Sequence, residues 1–272
     1  DVLEEQTSTL AAPGEEAALN EAVLRYSREV AFAAATVYAR AAENRGTWDA
    51  RLQAMVVDAL MRNDPVQELA SQTAALGWTG LTPVAVAVGD KPDTDPEAAL
   101  DGLARVGTRL VLVMAGSSDP LATVKEFLAE FGPGPVVVGH TMPSLAAATS
   151  SARAAEAGAR AVTAWPAAPR PCAAADLLPE RALSGDEQAR AALIDSVYQP
   201  LAAAGAGLLE TLAAYLDVGS SLEAAAKQLF VHPNTVRYRL RRISEVCGYS
   251  PTHPRDAFTL HLALVLGMLS PH

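Results

Sequence analysis

Apolar side chains recur at spacings of three and four through Leu19, Val23, Tyr26, Val30, Ala33, Val37 and Ala41, which predicts one long amphipathic helix over 15–45. Trp48 to Met61 predicts a second helix, with Leu52, Met55, Val56, Ala59 and Leu60 on its apolar side. Asp64-Pro65 then caps a third, with proline at its first position, and that helix ends at Leu76-Gly77-Trp78. Alanine-rich helices pack closely, and the first suits either pairing between subunits or an intramolecular bundle.

The period changes over 82–167. Short β-rich runs (Pro83–Val88, Arg109–Met114, Pro135–Gly139 and Arg160–Trp165) alternate with helical stretches at 96–106, 119–131 and 144–158. Such alternation predicts a sheet covered by helices. Pro166 to Pro171 reads as a linker or covering loop. From Leu177 onward the pattern is helical again, with helices expected at 186–204, 207–217, 221–230, 233–246 and 255–269. The expected fold is mostly α, with a central α/β domain and a C-terminal all-α domain. Its divisions are a helical segment over 1–80, the α/β domain over 81–172 and the C-terminal domain over 173–272.

The last third also carries the charge signal. The whole chain has 21 Lys+Arg against 31 Asp+Glu, a formal charge of −10. Gly219 to Arg255 nevertheless holds Lys227, Arg237, Arg239, Arg241, Arg242 and Arg255 against Glu223 and Glu245, a local +4 that leaves −14 elsewhere. A basic island on an acidic body suits a nucleic-acid contact patch, although an arginine cluster also serves as a plain solvated helix face.

Within this island, Ser220 and Glu223 are spaced as a capping box for a short helix that turns Leu222, Ala225, Ala226, Leu229 and Phe230 inward. The helix breaks at Val231-His232, and Pro233 opens a second one. Two short helices, a tight turn and an arginine-dense second helix together predict a helix-turn-helix. At 100° per residue Val236, Leu240 and Ile243 share one side and form the core seam. Asn234, Tyr238 and Arg241 lie opposite, flanked by Thr235, Arg237 and Arg242, while Arg239 falls towards the body of the domain. An amide, a phenol and guanidinium groups are the side chains that read base edges in a major groove, with Arg241 or Arg237 set for bidentate contact to guanine. Thr235 and the helix N-terminus suit phosphate, and His232 suits either a phosphate contact or a cap on the turn. Double-stranded DNA is the expected partner.

These residues resemble a known family. Leu209–Asp217, then AAAKQLFVHPNTVRYRLRRISEVCG, then Asp256–Leu264 are similar to the C-terminal DNA-binding domain of PucR/CdaR-type bacterial transcriptional regulators, HPNTVRYRLRRI being the most specific stretch. Leu178–Leu183 resembles the stretch leading into that domain, and Leu76-Gly77-Trp78 sits where the family often has such a triplet. The resemblance spans about 48–270 and is strongest after 177. It implies that 82–167 is a degenerate relative of the diguanylate-cyclase GGDEF fold and that the front domains respond to a metabolite or partner. By general likeness it extends to a FasR-like subgroup, implying activation of fatty-acid biosynthesis genes. The chain departs from a cyclase in having no GG[DE]EF string.

Other features are weaker. Gly116-Ser117-Ser118-Asp119 suits an anion at a helix start or a plain capping turn, and His140 suits a cleft or a structural hydrogen bond. Two cysteines 75 positions apart, Cys172 and Cys247, exclude a disulfide scaffold and any cysteine-based zinc site, and Cys247 is expected on the core seam. No GxSxG, GxGxxG, P-loop or HExxH occurs, so no enzyme chemistry, cofactor or metal is expected. Asp1-Val2-Leu3-Glu4-Glu5 does not begin a signal peptide, and Ala257–Leu269 is too short to span a bilayer. A reducing cytoplasm is the expected setting. The sequence therefore reads as a sequence-specific transcription regulator acting as at least a homodimer, since one recognition helix reads few base pairs. A degenerate nucleotide-binding or cyclase-like enzyme and a helical scaffold binding a protein partner are the alternatives.

Overall fold

The computed structural model describes Glu21, Arg25 and residues 51–62, 82–92, 103–205 and 207–270. Most of the expected helix at 15–45, the helix beginning at Asp64-Pro65 and most of 96–106 lie outside the described residues. The chain divides into two compact units, 1–53 and 54–272. In the first, Glu21, Arg25 and 51–53 are helical. The second holds the rest of helix α1 (51–62), the sheet and all C-terminal helices.

The sheet has five strands: β1 (Val84–Asp90), β2 (Leu103–Val106), β3 (Arg109–Ala115), β4 (Val136–Val138) and β5 (Cys172–Ala173), in the order β2-β3-β1-β4-β5. β1 lies antiparallel to both β3 and β4, and only β4 and β5 run parallel. Each strand of the centre is buried on both faces, and the period of two sorts its residues. Val84, Val86, Val88, Val111, Val113 and Val137 face one core, which includes Val56, Val57, Leu60 and Ala-rich helix α3 (Ala148–Ala161). Ala85, Ala87, Leu110, Leu112, Met114, Val136 and Val138 face the other, with Val124 of helix α2 (Pro120–Glu126) and Phe131. Small residues let α3 come close. A Cβ on Gly139 would stand 2.1 Å from the Ser151 carbonyl oxygen, and buried Ser151 Oγ accepts from the Val86 N–H at 3.0 Å.

Two expectations in this region are corrected. Arg160–Trp165 is not a strand: α3 runs to Ala161 and a 3-10 turn carries Val162–Ala164. The run is rich in small and β-branched residues, but it continues an alanine-rich helix whose hydrogen bonds are already satisfied locally. The end of the expected 96–106 helix is instead β2, the edge strand of a hairpin closed by Gly107 in the left-handed region at φ 59°. The 166–171 passage is a loop, as expected, and is held by Arg170, whose guanidinium donates to the carbonyls of Gly132 and Gly134.

The C-terminal helices are α4 (Leu178–Leu183), α5 (Glu187–Leu193), α6 (Gln199–Ala203), α7 (Leu208–Asp217), α8 (Leu222–Gln228), α9 (Pro233–Cys247) and α10 (Pro254–Leu269). A π-helical stretch, Ile194–Tyr198, joins α5 to α6. They enclose a second apolar core built on Leu193, Leu201, Leu212, Val236, Ile243 and Leu260. Arg255 fastens these helices to one another and to the segments on either side of β5. Arg255 of α10 pairs with Glu180 of α4, bonding Oε2 at 2.6 Å and the Asp176 carbonyl at 2.6 Å. Its guanidinium stacks 4.0 Å above the Trp165 ring.

Candidate nucleic-acid interface

α7, α8 and α9 position the site. Ser221, not Ser220, is the N-cap of α8: its hydroxyl accepts from the Ala224 N–H at 3.2 Å. Ser220 sits in the left-handed region at φ 64° and closes α7, its N–H donating to the Tyr215 carbonyl at 2.9 Å. The expected capping box therefore shifts to a single serine cap. Ala225 and Ala226 are buried against α9, as their size allows. Phe230 corrects the inward assignment. The helix stops at Gln228, the chain turns through φ 55° at Phe230, and its ring stands 95% exposed.

His232 then caps α9. Its Nδ1 accepts from the Asn234 N–H at 3.2 Å, and Pro233 occupies the first helical position, where no N–H is needed. Val236, Leu240 and Ile243 are buried. Asn234, Arg237, Tyr238, Arg241 and Arg242 are exposed, Tyr238 at 69%, and Thr235 is half-buried. Arg239 turns back to the body and donates to Thr211 Oγ1 of α7 at 3.0 Å. The chain thus brings its seven predicted side chains to one helix and its capping turn, with the apolar seam behind them.

Several partners had no place in the sequence reading. Glu245 accepts from Arg241 Nε and from Arg242, each at 3.1 Å, so one carboxylate tethers two outward guanidiniums. Its signal was present in the i+4 and i+3 spacing. Arg237 donates to Asn234 Oδ1 at 2.5 Å. Arg255 leaves the basic island altogether, being spent on Glu180. Cys247 is half-buried, not fully so, and its thiol donates to the Ile243 carbonyl at 3.2 Å.

Elsewhere, Asp119 is a plain cap: its carboxylate accepts from the Ala122 N–H at 3.0 Å, and Ser117 bonds Thr123. His140 is exposed, with its Nε2 3.2 Å from Ser150 Oγ; burial of part of the ring and the Arg181 charge lower its pKa. A cleft of about 630 Å³ opens between α3 and the start of α5, lined by Arg153, Glu156, Arg160, Asp186 and Gln188, with Glu156 Oε2 buried and unpaired. Among the described residues no cluster of three or more His, Cys, Asp or Glu could hold a metal, and no helix is long and apolar enough to cross a membrane.

Residues 208–266 match the PucR C-terminal helix-turn-helix domain. An uncharacterized protein of Mycobacterium tuberculosis (strain H37Rv) is 48% identical over 280 residues, covering 94% of this chain and 68% of its own. The purine catabolism regulatory protein of Bacillus subtilis is 44% identical over 57 residues, 21% of this chain and 11% of that one. Among solved structures, the regulator of polyketide synthase expression from Bifidobacterium adolescentis superposes with a TM-score of 0.69 at 31% identity, covering 80% of this chain and 92% of that one.

Proposed function

The chain belongs to the PucR family of transcriptional regulators, and from that membership we propose that it binds promoter DNA sequence-specifically through α9. One observation carries the reading: Asn234, Tyr238 and Arg241 stand outward on the helix that buries Val236, Leu240 and Ile243. In this reading His232, Asn234, Thr235, Arg237, Tyr238, Arg241 and Arg242 form the contact surface. Arg241, Arg237, Asn234 and Tyr238 meet base edges, while Thr235, Arg242 and the capped helix start meet phosphate.

The protein acts as a homodimer, because paired recognition helices reading half-sites about 34–36 Å apart multiply a modest single contact. The division at about 80 and 172 belongs to the same proposal; the sheet's core also takes in Val56, Val57 and Leu60 and runs on to Leu177, and the core of the C-terminal helices begins at Ala182. The sheet is assigned as a degenerate GGDEF-like domain without turnover, and incubation with GTP and Mg²⁺ is expected to yield no product. A small-molecule effector fits the cleft beside α5, whose size lies in the range of ligand sites. Activation of fatty-acid biosynthesis genes completes the proposal, supported by general likeness alone; failure to bind or activate those promoters removes that part.

Selection from random DNA by the purified chain, at two salt concentrations, tests the core claim. A two-part motif should emerge, and log Kd should rise with log salt by about 0.9 per phosphate neutralised. Arg242, the one cation assigned to phosphate, on each of two protomers gives a slope of about 1.8. No enriched sequence, or a nearly flat salt response, would refute DNA binding and favour a protein partner.

A further inference from the structure

Phe230 is held where neither stability nor solubility wants it. The end of α8 is closed by the Leu229 N–H on the Ala225 carbonyl and the Val231 N–H on the Ala226 carbonyl, both at 3.0 Å. This closure places residue 230 in the left-handed region, the position that glycine or asparagine fills most easily. A phenylalanine there strains the backbone, and its ring, 95% exposed, recovers nothing from the core. Its neighbours argue about what the ring meets. Lys227, Gln228, His232 and Asn234 are exposed near it in sequence while the adjoining Leu229 and Val231 are half-buried, so the exposed neighbours of the ring along the chain are polar. A protein-docking face would surround its aromatic anchor with further apolar groups.

In a helix-turn-helix the first helix crosses the backbone and the start of the second enters the major groove, so the turn between them lies at the groove wall. The apolar group that DNA displays there is the C5-methyl of thymine. Resting on the DNA reading of α9, we propose that Phe230 is a specificity residue whose ring packs on a thymine methyl at the edge of each half-site. The strained turn between α8 and α9 presents that ring before Asn234 and Arg237 engage the adjacent bases.

The test uses the full chain and the duplex emerging from the random-DNA selection, with each thymine replaced in turn by uracil, which lacks only the methyl. One uracil in each of the two half-sites should weaken wild-type binding by about 15-fold, about four-fold for each buried methyl. Phe230→Gly should bind the thymine duplex about 15-fold weaker, no longer distinguish uracil at that position, and melt at or above the wild-type temperature. Phe230→Leu should keep part of the discrimination. The proposal is overturned if Phe230→Gly keeps the uracil penalty, binds DNA as tightly as wild type, or melts lower. It is also overturned if the variant binds DNA normally and loses self-association in sedimentation, which would make the ring a protein contact. A wild type that selects no sequence defeats the DNA reading itself, whereas one that selects a motif but ignores every uracil defeats only the role of Phe230.

Discussion

Leu240 and Arg241 are adjacent in sequence and opposite in burial, so truncating each to alanine separates the fold from its proposed contact. Leu240 is 5% exposed in the C-terminal core and Arg241's side chain is 81% exposed. Removing three buried carbons from Leu240 combines lost transfer energy with a cavity, a cost of about 2–5 kcal/mol. At about 2–4 °C per kcal/mol for a unit of this size, Leu240→Ala should melt about 4–20 °C lower. Arg241 loses only a solvent-screened ion pair with Glu245, about 0.3–0.5 kcal/mol, so its melting point should fall by less than about 2 °C. On the selected DNA site the order reverses. Arg241→Ala should lose about 1–3 kcal/mol, about 5- to 140-fold, and relax base preference at one position. Calorimetric melting and fluorescence anisotropy on the same preparations measure both. Equal losses of melting temperature, or an Arg241→Ala variant with undiminished affinity and preference, would refute the inward–outward assignment.

Glu245→Gln removes the carboxylate that tethers Arg241 and Arg242; binding to random-sequence DNA should tighten more than specific binding, and an unchanged random-DNA Kd counts against the tether. Arg255→Ala should cost about 3–5 kcal/mol by leaving buried Glu180 without its charge partner. Exchanging both residues for apolar ones of similar volume should recover much of that loss in urea titrations, and no recovery would show that the pair matters for something other than desolvation. Cys172 is buried and its thiol is raised from 9.0 to about 12, chiefly by desolvation. Iodoacetamide at pH 8 should therefore spare it until urea unfolds the chain. Because the unfolded thiol ionises first, this group should destabilise the fold as pH rises from about 9 towards 12 and leave it unaffected below. Native labelling as fast as unfolded labelling contradicts the burial.

The recognition helix was legible because its two faces are chemically distinct: Val236, Leu240 and Ile243 sort from Asn234, Tyr238 and Arg241 by angle alone. The buried strands were legible as apolar runs bounded by turn residues. What failed did so where local pattern and tertiary pairing compete. Arg160–Trp165 has the short β-rich composition of a strand yet ends α3 and forms the 3-10 turn after it, since so short a run gives composition but no period to separate it from the helix before it. β5 is two residues long and exists only because β4 lies beside it. Ser220 and Ser221 are equivalent in the sequence, and only the left-handed closure of α7 decides which one caps α8. Phe230 continues the apolar spacing of Leu222, Ala226 and Leu229 but falls one residue after the helix's C-cap, so its spacing no longer describes a face. Partners distant in sequence, Thr211 for Arg239 and Glu180 for Arg255, had no sequence signal at all.

The division of arginines between reading and fastening bears on how the protein would discriminate. Of the six basic residues in the 219–255 island, Arg239 and Arg255 are committed to internal partners, which leaves Lys227, Arg237, Arg241 and Arg242 facing outward against exposed Glu223 and Glu245. The presented charge is therefore about half the local +4 of the sequence, on a chain of net −10. Sequence-independent attraction to phosphate grows with the number of cations engaged, so such a face has little of it, and the acidic body opposes any other docking orientation. Discrimination must then come from base edges and from pairing two half-sites, each of which scales with the match to the operator and not with total charge. On the proposed DNA reading, weak non-specific binding is thus the physical condition for selectivity, and the same reasoning gives Glu245 a use: it would hold Arg241 until a base edge, and Arg242 until a phosphate, competes successfully for it.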